Sequence, residues 1–427
     1  MAHITRRKFL KVGAAGVASL AGLHRLPQWA WAQTPEVTLG AVYPLTGSLA
    51  RVGASIKNAV DLAVDLINTP RSDLDLPLSG AGGLPKLSGA KLRLIWADSK
   101  GDPATGRAEA ERLIESERVV ALLGSYQSAV TATASLAAEA KGIPFVNAES
   151  SSPKLTERDF KWFFRTGPHD TTFTKLFFDM MDDLKKRGAK IARVAILSED
   201  TEFGATALGV ERAFAKRYGY EIVASELYTS PPASLDAELL RIRRANPDVL
   251  FGQNYLVDAI LITRTLKEMR WFPPGIMVHD AGWVIADYLK TVGNDGNYIL
   301  SRVSWALGMG KRKPLVAKVN ELYRARYGTD MDETNARSFT GLFALASAID
   351  AAGSNKPDAI RSALQQLTLP GRQLIMPWEG IEFDRRGQNK FAAGVMAQII
   401  NKEYKVVWPF DLAEADLVWP APGWERR

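Results

Sequence analysis

Val119 to Ser152 reads VVALLGSYQSAVTATASLAAEAKGIPFVNAESSS, and the order of residue types within it sets the fold. An apolar run, Val119–Leu123, meets a polar cluster, Gly124-Ser125-Tyr126-Gln127-Ser128, and a helical pattern follows over Val130–Ala140. A second apolar run, Pro144–Val146, ends in Asn147-Ala148-Glu149-Ser150-Ser151-Ser152. Apolar runs without alternation suit strands buried on both faces of a parallel sheet, and strand–helix–strand order implies a right-handed crossover.

The same rhythm extends in both directions. Strands are expected at Val37–Tyr43, Leu92–Ala97, Val194–Leu197, Ile222–Leu227, Val249–Phe251 and Ile276–Val278. Helical patterns lie between them at Ala54–Ile67, Ala104–Ser116, Thr171–Lys186, Ala205–Tyr218, Leu235–Arg244 and Ala259–Met269. The fold class is therefore α/β with parallel sheets. Thr69–Ala90, rich in Pro, Gly and Ser, reads as a surface loop inserted between the first helix and the second strand. After Ser301 the text turns helical, with Leu315–Tyr327, Thr334–Ala351 and Asp358–Leu367, and strand-like text resumes over Gly380–Val407.

Residues 1–32 read as a targeting segment rather than as fold. Thr5-Arg6-Arg7-Lys8-Phe9-Leu10-Lys11 fills a twin-arginine export pattern, Val12–Leu23 is too short and Gly/Ala-rich for a good membrane span, and Ala30-Trp31-Ala32 supplies a cleavage site. Periplasmic localisation is the expectation. Arg6, Arg7, Lys8, Lys11 and Arg25 leave with that segment, so the formal +7 falls by five to +2. No basic, aromatic-laced helix points to nucleic acid. Cys is absent, which excludes disulfides, thiolate metal sites and a lipid anchor on cysteine. About 395 remaining residues exceed one hydrophobic core, so two lobes are expected.

The strand ends carry the chemistry. In open α/β sheets ligands bind beyond the carboxyl ends of strands. Those positions hold the two clusters above, together with Ser198-Glu199-Asp200-Thr201, Gln253-Asn254-Tyr255 and His279-Asp280. Hydroxyls and free N–H groups at a helix start can hold a carboxylate. An acid at Asp280, desolvated at a cleft, would be offset by a bound ammonium. His279 reads as a hydrogen-bonded structural residue, and with His169 as its one companion outside the targeting segment no His-rich metal site can be built. No cofactor is expected. The chain holds no Gly-x-Ser-x-Gly, Walker or His-Glu-x-x-His motif. Ser151-Ser152-Pro153-Lys154 spells Ser-x-x-Lys without the partner motifs of penicillin-recognising enzymes, so an enzyme is not expected.

With these loops in view the chain resembles the leucine/isoleucine/valine-binding protein family, the periplasmic receptors of branched-chain amino acid ABC importers. The resemblance rests on Gly40-Ala41-Val42-Tyr43-Pro44-Leu45-Thr46-Gly47, on Ala97–Pro103, on Ser150-Ser151-Ser152-Pro153-Lys154-Leu155-Thr156 followed by Phe164-Arg165-Thr166, and on Phe203-Gly204 and Tyr323–Gly328. It implies a type I periplasmic-binding fold of two Rossmann-like lobes joined by a three-strand hinge, with crossings near Arg165, Ser301 and Pro377. The lobes would be 33–165 plus 302–377 and 166–301 plus 378–427. It further implies that Ser128 and Ser151 hold a ligand's carboxylate and ammonium and that Ser150 contributes backbone groups. Tyr255 would cap the ligand, and Asp280 would pair with the ammonium. Phe203 stands where the family commonly has Tyr, and Val52 where an aromatic is usual. The implied function is delivery of a small polar ligand, an amino acid by family default, to a membrane permease. The alternative is a ligand-sensing protein for an amide or an aromatic carboxylate.

Overall fold

Two sheets, each built mainly of parallel strands and packed against helices, account for the alternation of apolar runs and helical patterns in a computed structural model that describes residues 35–426. The expected export segment lies outside the described residues. The first sheet contains β1 (Glu36–Tyr43), β2 (Lys91–Asp98), β3 (Leu122–Gly124), β4 (Phe145–Asn147) and β5 (Phe163–Arg165), in spatial order β2-β1-β3-β4-β5. All its pairings are parallel, with α1 (Ala50–Asn68), α2 (Pro103–Glu115) and α3 (Ser128–Lys141) as crossovers.

The second sheet takes β6 (Arg193–Glu199), β7 (Glu221–Tyr228), β8 (Val249–Gln253), β9 (Gly275–His279) and β10 (Leu300–Val303). Its helices are α4 (Asp170–Lys186), α5 (Glu202–Tyr218), α6 (Asp236–Ala245), α7 (Leu256–Glu268) and α8 (Ala286–Val292). The chain then returns to the first lobe as α9 (Pro314–Tyr327), α10 (Glu333–Ala352) and α11 (Pro357–Gln365), with the small ladder β11 (Leu369–Pro370) and β12 (Gly380–Ile381). It ends with β13 (Val395–Ile400) and β14 (Glu403–Trp408), antiparallel on the edge of the second sheet, whose order is β14-β13-β10-β9-β8-β6-β7. The fold is thus the two-lobed α/β arrangement that the resemblance implies.

Strand order reverses beside β1 in one sheet and beside β6 in the other, so each has a crevice at its carboxyl edge. Local chemistry fixes those edges. The Asp98 carboxylate, at the end of β2, accepts from the Leu45 and Lys100 amides at 2.8 Å and from the Thr46 amide at 3.2 Å, tying down the loop after β1. Gly53 lets α1 press on that loop, because a Cβ there would lie 1.9 Å from the Pro44 carbonyl oxygen. At the crossing after β5, buried Arg165 donates to Gln388 Oε1 at 2.7 Å, to the Ser152 carbonyl at 2.7 Å and to Thr156 Oγ1 at 2.9 Å. Helix α10 is buried over Glu333–Asp350 and packs against α1, as a helix apolar on nearly all sides must.

Three details differ from the sequence reading. β5 and β10, of three and four residues, have no strand pattern of their own and are held by their neighbours. Gly380–Ile381 pairs with Leu369–Pro370 and Gln388 bridges Arg165, so we place the third crossing between Asn389 and Val395 rather than near Pro377. The 69–90 segment is not a plain surface loop. Leu74, Leu76 and Leu84 are buried in the main core, and the Lys86 amide donates to Asp350 Oδ1 at 2.8 Å. Leu84→Ala should therefore destabilise the protein by about 2–5 kcal/mol in urea unfolding. A change near zero would mean that the segment packs loosely enough to be dispensable.

Candidate functional site

Where the carboxyl edges of the two sheets face each other, a small, half-open cavity lies between the lobes. From the first lobe it is lined by Tyr126, Ser128, Glu149, Ser150, Ser151, Thr334 and Arg337, and from the second by Phe203, Tyr255, Asp280 and Ala281. All six residues expected at the site, Ser128, Ser150, Ser151, Phe203, Tyr255 and Asp280, meet there. They come from the loops after β4, β8 and β9 and from the first turns of α3 and α5, which is why they are far apart in sequence and close in space.

The hydroxyl side belongs to the first lobe. Ser128, in the first turn of α3, accepts the Ser152 amide at 3.3 Å and so joins the two polar clusters. The Ser150 hydroxyl donates inward to the Ser125 carbonyl at 2.8 Å, and the Ser150 carbonyl accepts from Arg165 at 3.1 Å. The Ser151 carbonyl accepts the Asp170 amide at 2.8 Å, so the same loop holds the start of α4 across the join. The apolar side crosses the cleft. Tyr126 and Phe203 both pack on Tyr255, with ring centroids 5.9 and 5.7 Å away. Among the described residues the buried Tyr126 hydroxyl has no hydrogen-bond partner. Such a group costs about 1–3 kcal/mol until something polar meets it.

Asp280 stands at the cavity, but not as the free carboxylate expected from the sequence. Its Oδ2 accepts from Arg337 Nη1 at 2.8 Å and, at closer range, from Arg302 Nη1. Arg337 also donates to the Ala148 and Glu149 carbonyls at 2.9 and 2.8 Å and to Glu333 at 3.3 Å. Burial works against the Arg337 charge, but Glu333 and Asp280 outweigh it and its pKa lies above the ordinary value. Burial lowers the pKa of Arg302 despite Asp280 and Asp170. His279 lies behind the cavity, fully buried, with Nε2 3.1 Å from Glu211 Oε1. Trp283 is buried, with Nε1 donating to Asn254 Oδ1 at 3.1 Å, and Val52 is in the core. Arg51 sits at the rim, 3.4 Å from Asp287 of the opposite lobe.

Sequence reasoning missed Arg337 and the special state of Glu149. The available signal for Arg337 was a lone arginine within the otherwise apolar text of α10. Glu149 was legible as one of a polar cluster, but its partners, Tyr43 and Ser338, come from β1 and α10.

The two-lobed architecture and the cavity between the lobes are those of a solute-binding protein, and the comparisons agree. Residues 36–402 match the family described as periplasmic binding protein, and the chain belongs to it. The Leu/Ile/Val-binding protein homolog 8 of Brucella abortus (strain 2308) is 28% identical over 394 residues, covering 90% of this chain and 93% of the relative. The branched-chain amino acid transporter substrate-binding protein LivJ of Streptococcus pneumoniae, solved with isoleucine, superposes with a TM-score of 0.74 at 19% identity over 90% of this chain and all of that one. A solute-binding protein of an ABC transporter from R. palustris, solved with benzoate, gives 0.74 at 15% identity over 91% of this chain and 97% of that one.

Glu149 generates a pH prediction. Burial pushes its pKa up to about 7, although Ser338, Arg337 and Tyr43 favour the charged form. The folded protein thus keeps a proton that the unfolded chain releases near pH 4.5. The associated stability is fully present below that pH and is lost as pH rises through about 7. Asp332 and Glu333, both raised to about 6 by burial, act in the same direction. Glu149→Gln should remove about 1–3 kcal/mol of the stability loss between pH 4.5 and 7, measured by urea unfolding at both pH values. An unchanged pH slope would show that Glu149 is ionised throughout.

Proposed function

We propose that this chain is the solute receptor of an ABC importer and that its ligand is a small carboxylate of amino-acid size. The observation that carries the reading is the two-sided cavity. Ser128, Ser150 and Ser151 line it from one lobe, while from the other lobe Tyr255, backed by Phe203, packs on Tyr126. A carboxylate suits the first surface, since hydroxyls and amides at a helix start donate to anions. An aliphatic or aromatic body suits the second. The Leu/Ile/Val-binding names among the relatives support amino acids as candidates, and the benzoate complex supports acids that have no amine.

No covalent step is required. A ligand that touches both lobes favours the closed arrangement by its differential affinity for it, and that arrangement is what a permease would read. The twin-arginine pattern at Thr5–Lys11 supports export of the chain to the periplasm, where such a receptor works.

Thermal unfolding of the protein lacking residues 1–32 against leucine, isoleucine, benzoate and urea tests the reading. A ligand at a hundred times its Kd adds about 2.7 kcal/mol and raises Tm visibly. At least one carboxylate should do so, and Ser128→Ala should weaken it about tenfold, or ~1.4 kcal/mol. Stabilisation by the neutral amide alone, with no carboxylate effective, would contradict the assignment.

A further inference from the structure

Asp280 and Arg337 approach the cavity from opposite lobes, and each is the other's partner at 2.8 Å. Arg302 holds the same Asp280 oxygen from behind, on β10, and does not line the cavity. The remaining Asp280 oxygen accepts the Ala281 amide. Both oxygens of the acid therefore have donors within the protein itself. Arg337 cannot easily turn aside, because two first-lobe carbonyls and Glu333 hold its guanidinium, which is 2% exposed. The pair is neutral as seen from the cavity. An incoming ammonium would have to displace a guanidinium that keeps four hydrogen-bond partners in a site of low dielectric.

We infer that Arg337 sets the charge preference of the cavity: by pairing with Asp280 it cancels the negative charge an α-ammonium would be drawn to, and it selects carboxylates that carry no amine. This rests on the carboxylate reading above and narrows it. Arg337 acts through Asp280 and is a positioning residue for specificity. The aromatic contacts among Tyr126, Tyr255 and Phe203 fit the same class of solute, since they bind a ligand body and require no cation.

The test uses matched pairs that differ in the amine: L-leucine with 4-methylpentanoate, and L-phenylalanine with 3-phenylpropanoate. Their affinities are measured by titration calorimetry on the protein lacking residues 1–32. The wild type should bind the amine-free member of at least one pair tenfold or more tightly than its amino acid. Arg337→Gln should shift that ratio toward the amino acid by at least tenfold, while Arg337→Lys, which retains the charge, should leave it within threefold. A loss of packing alone would weaken both members together and leave the ratio fixed. Should Arg337→Gln fail to fold, Asp280→Asn decides: amine-free acid binding kept or tightened supports the proposal, and its loss overturns it. An amino acid preferred tenfold by the wild type, or a ratio unmoved in Arg337→Gln, overturns the proposal and leaves the carboxylate reading standing. A wild type that binds no member of either pair overturns both.

Discussion

Two guanidinium groups buried where the lobes meet impose the main constraint on this molecule. Arg302 and Arg337 are 0% and 2% exposed, and an ion taken out of water costs several kcal/mol unless its partners are close and well aligned. Asp280 meets both, Glu333 meets Arg337, Asp170 meets Arg302, and two carbonyls of the loop after β4 complete the set. These groups belong to α10, β10, the start of α4 and the end of β9. Satisfying the two charges therefore positions elements of both lobes at once and sets the floor of the cavity.

The strand-end clusters follow from that placement. Parallel strands buried on both faces leave their polar residues at the carboxyl edge, and two such edges turned toward each other make one chamber. The hydroxyl wall and the aromatic wall are consequences of which loop each lobe contributes. Arg165 adds the mechanical link, because it joins the loop of Ser150–Ser152 to Gln388 beside the chain crossings. A change at the cavity wall is thus connected through hydrogen bonds to the segments about which the lobes would turn.

Much of this was legible from residue order. The long strands β1, β2, β6 and β7 and most of the helices fall where apolar runs and helical periods put them, and the polar clusters lead to the cavity wall. The rest depended on contacts between distant segments. β5 and β10 are too short to carry a pattern, and the segment 69–90 looks like a loop until Leu74, Leu76 and Leu84 find the core. Asp280 could be placed at the cleft from its strand, but its pairing could not be read, because Arg337 lies 57 residues away in a helix that reads as core. The pairing changes the chemistry of the site while leaving its location as expected.

The central claim is that a solute held between the lobes selects the closed arrangement. The absence of Cys from the sequence allows a direct test, with spin labels on Arg51→Cys and Asp287→Cys, which face each other across the rim at 3.4 Å between side chains. Interlabel distances measured by pulsed electron resonance, with and without a carboxylate that raises Tm, should shift to a single short population when the ligand is added. The same distance distribution in both states, with ligand bound, would contradict the account.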